Sequence, residues 1–464
     1  MKKNNVLMMA LALMVSAGAW ADDYTTAGDG TTWTMSKLAE AEGSGVTQEG
    51  NVFTMTNTVV VAAGDYFVMD GGITVMMDKK VSLEIEGVAS MAPSERSLFT
   101  RTADGVVPGL VYLKCENSLT LVQHLDFEYA GLKYFASRGL CVDDCTFRYH
   151  EASTANGTSA LNLAGEGAAF SVTNCVFEMN KRAAVGGAGN ASNPIIIENC
   201  QFLYNDQQNL NYPQLNLTAS PCVVVRNNVV TGDRTKTRGG GIMVADLLGV
   251  AQNPVTLVED NDVSDNRYGI ALYSGQKATV RYNNVVNNNT ETTPANGGSG
   301  INIYDGSGTQ ETMITGNYIE GNLWGVTIIG GAKINLGKTD KSAEDWNPGQ
   351  NVFLNNGNEG VIYDVYNNSA NTVYAQGNYW MTAATQDAEG IEAVIYHKND
   401  DASLGEVIFT PWADATVTEV EKVAASSENM PEQVYSLSGM RQNAYQKGFN
   451  IVKQGNKALK VIRR

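Results

Sequence analysis

Between residues 119 and 380 one pattern recurs ten times: a few apolar or β-branched residues, a Cys or Asn, then a second apolar pair. The first copy is Leu125-Asp126-Phe127. Cys145-Thr146-Phe147, Cys175-Val176-Phe177 and Cys200-Gln201-Phe202 follow. Asn228, Asn261, Asn284, Asn317, Asn351 and Asn378 then open the later copies. Nine intervals cross residues 125–378, about 28 residues each, the spacing of a stacked repeat. Each copy is preceded by a run such as Ile195-Ile196-Ile197 or Val223-Val224-Val225 and followed by one such as Gly269-Ile270-Ala271-Leu272. These are strands of three to five residues. Strands so short cannot bury a face alone. Stacking each on its copy from the next coil pairs every strand and closes one continuous apolar interior. The pattern therefore predicts an all-β chain: a parallel β-helix of about 12–13 coils.

The column marked by Cys145, Cys175, Cys200, Asn228, Asn261, Asn284, Asn317, Asn351 and Asn378 is read as a ladder of like residues at one turn. Free Cys packs there as a small hydrophobe, so these thiols are expected to stack without disulfides, although a secreted chain with six cysteines otherwise invites bridges. Five residues further on stand His150, Asn180, Asn205, Asp233, Asn266, Asn289, Asn322 and Asn356, a second polar column expected at the next bend.

The ends differ from the repeat. Residues 1–21 read as a secretory signal peptide: Lys2 and Lys3, an apolar run from Val6 to Val15, and Ala19-Trp20-Ala21 for cleavage. Residues 22–49 form an N-terminal cap region, with a helix expected inside Thr31–Glu42 and Ser36 as its N-cap. The β-helix then occupies residues 50–412. An acidic, Ser/Ala-rich linker follows at 413–431. A tail at 432–464 should make a small antiparallel sheet of about three strands. No other apolar run has the length of a transmembrane helix.

Formal net charge is −17, yet residues 441–464 hold seven basic groups and no acid. A strongly acidic body disfavours nucleic acid and anionic membrane as partners. It is compatible with Ca²⁺, although no cofactor is firmly implied.

Residues 50–412 resemble the secreted right-handed parallel β-helix proteins of pectate-lyase-like and NosD type. The closing segment carries much of this: Asn378-Tyr379-Trp380, Ile391–Tyr396, Asn399–Gly405 and Val407–Trp412. The tail, with Gln433–Arg441, Gly448–Lys453 and Ala458–Arg464, resembles the C-terminal sorting domains of Bacteroidetes type IX secretion, and is shorter than they are. That resemblance implies secretion machinery as a partner and an extracellular or outer-membrane-surface location.

No metal-spaced histidines, nucleophile elbow or phosphate loop is present. β-Helix enzymes of this resemblance attack acidic polysaccharides. Lyases then need a base and a group that neutralises a carboxylate, and hydrolases need paired carboxylates. Counting six and seven positions beyond the ladder isolates a charged strip: Lys181, Arg182, Asp206, Arg234, Arg267 and Tyr268, with Trp324 as a further aromatic platform. Lys181, Arg234 and Arg267 are the candidate catalytic residues. All seven are candidate ligand contacts. Asp260, Asp262 and Asp265 are the candidate metal ligands, if Ca²⁺ binds at all. The bland reading is that corner residues face water and are therefore charged. The expected function is glycan binding or adhesion at a cell surface. The alternatives are a polysaccharide lyase or glycosidase and a structural surface rod.

Overall fold

The structure, a computed structural model, describes residues 23–413 apart from 152–158, 166, 188–193, 248, 250, 292–296 and 358–359, and in the tail 433–435, 441–446, 448–454 and 457–463. The signal-like segment and nearly all of the linker lie outside the described residues.

The chain winds as a right-handed parallel β-helix with three long sheets. The first runs from Tyr24–Thr25 to Ile395–Tyr396 and the second from Val46–Glu49 to Tyr379–Trp380, with 14 strands each. The third has 11, from Leu119–Gln123 to Val407–Ile408. Pairing is parallel except at the start of the second sheet, where Val46–Glu49 folds back antiparallel on Val52–Met55. Each repeat passes from the third sheet through the ladder turn into the second, then through a second turn into the first.

Alternation along each strand sends every other side chain inward. In the second sheet this stacks Phe99, Phe127, Phe147, Phe177 and Phe202 with ring centroids 4.8–5.3 Å apart and planes within 8° of parallel. The column continues through Val230, Val263, Val285 and Ile319 to Phe353 and Trp380. A fixed rise per coil permits such rows, because each ring meets the same neighbour above and below.

The ladder turn forms, with one correction. All six cysteines are free. Cys145, Cys175 and Cys200 stack, and the backbone N–H of Cys200 donates to Asn228 Oδ1 at 2.9 Å. From there each amide donates to the next: Asn228 to Asn261, Asn261 to Asn283, Asn283 to Asn317, Asn317 to Asn351 and Asn351 to Asn378, at 2.9–3.0 Å. The rung is Asn283, not Asn284. The second sheet pairs Val263 with Val285, which puts Asn283 inward and turns Asn284 out to donate to Asp262. The residue before each rung is left-handed, from Asn174 and Asn199 through Asn227, Asp260 and Tyr282. Asn and Asp tolerate that conformation best.

The second column also forms, with two substitutions. His150, Asn180, Asn205, Asn266, Asn288, Asn322 and Asn356 occupy it, so Asn288 replaces Asn289. Asp233 turns outward to Thr235 and Gln207. Its place is taken by Gln214, which accepts from Asn205 at 2.8 Å and donates to Asn266 at 3.0 Å. The column ends on buried Asp364, which accepts from Asn356 and Thr382.

The cap helix spans Met35–Glu40, and Thr34 rather than Ser36 caps it, accepting from Lys37 N–H. Met35 and Leu38 close the first coil. Asp65 anchors the segment before it. Its carboxylate accepts from Thr26 Oγ1, the N–H groups of Gly28, Gly30 and Thr31, and Trp33 Nε1. At the other end, part of the closing segment Ile391–Tyr396 is helical. Ala388–Glu392 forms one turn, capped by Asp387, and only Ile395–Tyr396 joins the first sheet. The tail is a four-stranded antiparallel sheet of Gln433–Tyr435, Arg441–Gln442, Gly448–Gln454 and Lys457–Arg463.

Candidate functional site

Where each second turn enters the first sheet, two positions recur. Three residues before the central inward residue stand Arg182, Tyr212, Gly239 and Arg267. One residue later stand Gly240, Tyr268, Ser299, Trp324 and Tyr363. Arg182, Arg267, Tyr268 and Trp324 therefore lie along one rim of the first sheet, and the seven candidate residues separate into three groups.

Arg182, Asp206, Arg267 and Tyr268 come together around the loop 206–212. Arg182 Nε donates to Gln208 Oε1 at 2.8 Å, and its guanidinium lies 5.4 Å from the Tyr212 ring. Arg267 reaches across two coils to donate to Asn211 Oδ1. Asp206 is fully buried and holds the loop in shape by accepting from Leu210 N–H and Tyr212 N–H at 3.2 and 3.1 Å. Burial pushes its carboxyl up to about 6, against these N–H groups and the nearby Arg182 charge. Tyr268 lies over Gly240, where an added Cβ would stand 2.2 Å from Tyr268 Cζ, so only glycine fits there. Its hydroxyl meets Met243 Sδ at 3.8 Å. Burial first, then the Tyr273 hydroxyl, raise the phenol well above its usual range, so it stays protonated.

Lys181 and Arg234 are held elsewhere. Lys181 is ion-paired with Glu151. Arg234 pairs with Asp265 at 2.8 Å and donates to Asn289 and to the Asn287 carbonyl. Both serve as cross-coil ties.

Trp324 joins an aromatic group further along the same rim. It stacks on Tyr366 at 4.7 Å, and Tyr366 on Tyr396 at 4.7 Å, with Tyr363 tilted against all three. Tyr366 and Tyr396 point outward from adjacent strands of the first sheet. At the opposite end of this face Tyr112 stacks on Phe135 at 6.0 Å, with Lys133 4.3 Å over the Phe135 ring.

The acidic residues do not converge. Asp262 accepts from Asn284, Asp265 pairs with Arg234, and Asp260 is the left-handed residue of its turn. Among the described residues no group of three or more His, Cys, Asp or Glu side chains could hold a metal ion. Nor is any described helix long and apolar enough to cross a membrane.

Counting from the ladder missed Tyr212, Asn211, Tyr363, Tyr366 and Tyr396. Tyr212 was findable as the aromatic before Pro213, where a loop must enter a strand. The tyrosines from 363 to 396 lie where turn lengths change, so counting loses them.

Residues 208–340 match the family described as the right handed beta helix region. No curated protein matches the chain in sequence. Among solved structures it is similar to two mutants of the periplasmic alginate epimerase AlgG. One has 10% identity over 82% of this chain and 83% of that one, with a TM-score of 0.48. The other has 11% identity over the same shares, with a TM-score of 0.47. The mannuronan C-5 epimerase AlgE4 A-module of Azotobacter vinelandii has 12% identity over 83% and 88%, with a TM-score of 0.31. Likenesses this distant carry no inference about activity.

Proposed function

We propose that the chain is an exported protein that binds an extended acidic polysaccharide along the rim of its first sheet. The observation that carries this reading is the convergence of Arg182 and Arg267 on the loop 206–212. A guanidinium fork matches a carboxylate in geometry as well as charge. Arg182 offers it from beside a neutral amide and a tyrosine ring. The aromatic group of Trp324, Tyr363, Tyr366 and Tyr396 lies on the same face, where phenol hydroxyls and ring edges can meet sugar hydroxyls and C–H groups. A polymer running parallel to the axis meets both regions.

The signal-like leader favours export, and the sorting-like tail would make secretion machinery the first partner. This reading invokes no Ca²⁺; among the described residues no group of three or more His, Cys, Asp or Glu side chains could hold a metal ion.

Binding is the core of the proposal. An elimination or epimerisation on the bound uronate is a second reading, favoured by Tyr268, a protonated phenol next in the chain to Arg267. Asp206 does not serve it as a base, because its carboxylate is turned into its own loop. Affinity electrophoresis through gels containing polygalacturonate, polymannuronate or a neutral glucan tests the first reading. Retardation by a polyuronate and not by the glucan, lost in R182A and R267A, supports it. Equal mobility in all gels overturns it. Absorbance near 235 nm and NMR of the recovered polymer would reveal the second.

A further inference from the structure

The third sheet carries a separate built feature. The segment that returns from Lys333–Gly337 toward the ladder residue Asn351 contains a loop, residues 338–347, that stands out over the sheet. Its base is closed by the Lys338–Asn347 bridge. Buried Asn347 donates to the carbonyls of Ile314 and Asn335. Asn335 donates in turn to the Asp345 carbonyl at 2.6 Å, and Lys338 holds the Asp345 carboxylate at 2.8 and 3.1 Å. Beneath the loop the register shifts between Asn335 and Gly337. Such irregularities re-aim side chains and recur beside binding sites.

The overhang turns a plain sheet face into a groove of about 590 Å³. Its floor is the outward row of four successive strands, Thr279, Met313, Asn335 and Tyr374. The surface is mainly apolar and the volume lies in the range of small-ligand sites. Lys338 sits 4.6 Å over the ring of Tyr374, the last residue of that row. The charge on the rim is unbalanced. Lys277 and Lys333 both lean on the single carboxylate of Glu311, at 3.8 and 3.5 Å. Two ammonium groups share one counter-ion, and neither contact is short.

We infer that this groove is a second ligand site, independent of the first-sheet rim, for a small organic carboxylate with a flat apolar body. The apolar face lies on Met313 and Tyr374, and the carboxylate supplies the counter-ion that Lys277 and Lys333 share with Glu311. An apolar floor alone would accept a neutral molecule equally well, and the lysine pair is what selects an anion. The loop 338–347 supplies the wall that a bare sheet lacks.

The test uses the full chain and 2-naphthoate, with neutral 2-naphthamide as comparator, by titration calorimetry and saturation-transfer NMR. Naphthoate binds and the amide binds at least about fivefold less tightly. M313W fills the groove and abolishes binding, and the pair K277E and K333E weakens it about tenfold, consistent with loss of charge-assisted contacts. R182A and R267A leave it unchanged. Circular dichroism and the melting temperature establish that each variant is folded. Absence of naphthoate binding, equal binding of the amide, or binding retained in folded M313W overturns the inference.

Discussion

Gln214 donates its side-chain amide to Asn266 Oδ1 at 3.0 Å, across a coil whose own turn residue, Asp233, faces outward. It also accepts from Asn205 at 2.8 Å. One glutamine thereby joins two halves of the second polar column that would otherwise be separate.

The first prediction follows from that junction. In Q214L one N–H of the Asn205 amide and the Asn266 side-chain carbonyl lose their partner while remaining buried; the amide's other N–H keeps the Phe177 carbonyl. A buried polar group without a hydrogen bond costs about 1–3 kcal/mol, so two should cost about 2–6 kcal/mol. Urea unfolding gives the total. Hydrogen exchange should show the loss concentrated in the coils from Asn205 to Asn266, since each coil contacts only its neighbours.

Asn283 and Asn284 make an internally controlled pair. N283A removes a rung that donates to the Val258 and Arg281 carbonyls and to Asn317, and accepts from Asn261. It should lower stability by about 2–4 kcal/mol. N284A removes one outward contact to Asp262 and should change it by less than about 0.5 kcal/mol. Equal melting temperatures for the two variants would contradict the register of the second sheet.

Stability should fall as pH rises from about 4 to about 7. Burial pushes the Asp364 carboxyl up to about 7, against hydrogen bonds from Thr382 and Asn356, and Asp206 up to about 6. In this window these two carboxyls keep protons in the folded chain that the unfolded chain releases, so raising pH favours unfolding. His150, held down to about 4 by burial, acts in the opposite sense up to its unfolded value near 6.5 and makes the fall shallower. Asp65 also opposes the two carboxyls, lower down. Burial alone would raise it, but Thr26, Gly28, Trp33 and Thr31 outweigh burial and hold it at about 2. Its contribution is complete above its unfolded value near 3.8 and is lost as pH falls toward 2. D364N should flatten the slope of melting temperature between pH 4 and 7 and leave the acid limb intact.

The thiol column should be chemically silent. Cys145, Cys175 and Cys200 are buried and unbridged, and the thiols above and below, together with burial, push Cys175 well up. The thiolate is the reactive form. Titration of the native protein with an aromatic disulfide should leave these three and buried Cys115 unmodified over hours. All six should react in denaturant. Rapid native labelling of Cys175 would mean that the coils open locally.

The β-helix was legible because an interior position sees the same surroundings in every coil. Phe127, Phe147, Phe177 and Phe202 share one fate, so their spacing in the chain reports their stacking. The same logic exposed the Cys and Asn ladder and the neighbouring polar column. It slipped at Tyr282-Asn283-Asn284, where two like residues stand side by side and only strand pairing distinguishes them. It also slipped at Asp233, because a spacing rule cannot show that Gln214 reaches in from the coil below. The same counting placed Lys181, Arg182, Arg234 and Arg267 in one strip. Whether such a side chain serves a neighbouring carboxylate or the rim depends on loops of unequal length.

The sequence by itself determined the repeat, the parallel stacking and the chemistry of the turns, since these follow from periodic burial and from backbone groups that must be satisfied at every bend. Only the tertiary structure decided which Asn forms the rung, which arginines meet at the loop 206–212, and that residues 338–347 wall a groove on the third sheet. Those outcomes depend on contacts between coils some 20 to 55 residues apart, along loops that obey no common spacing.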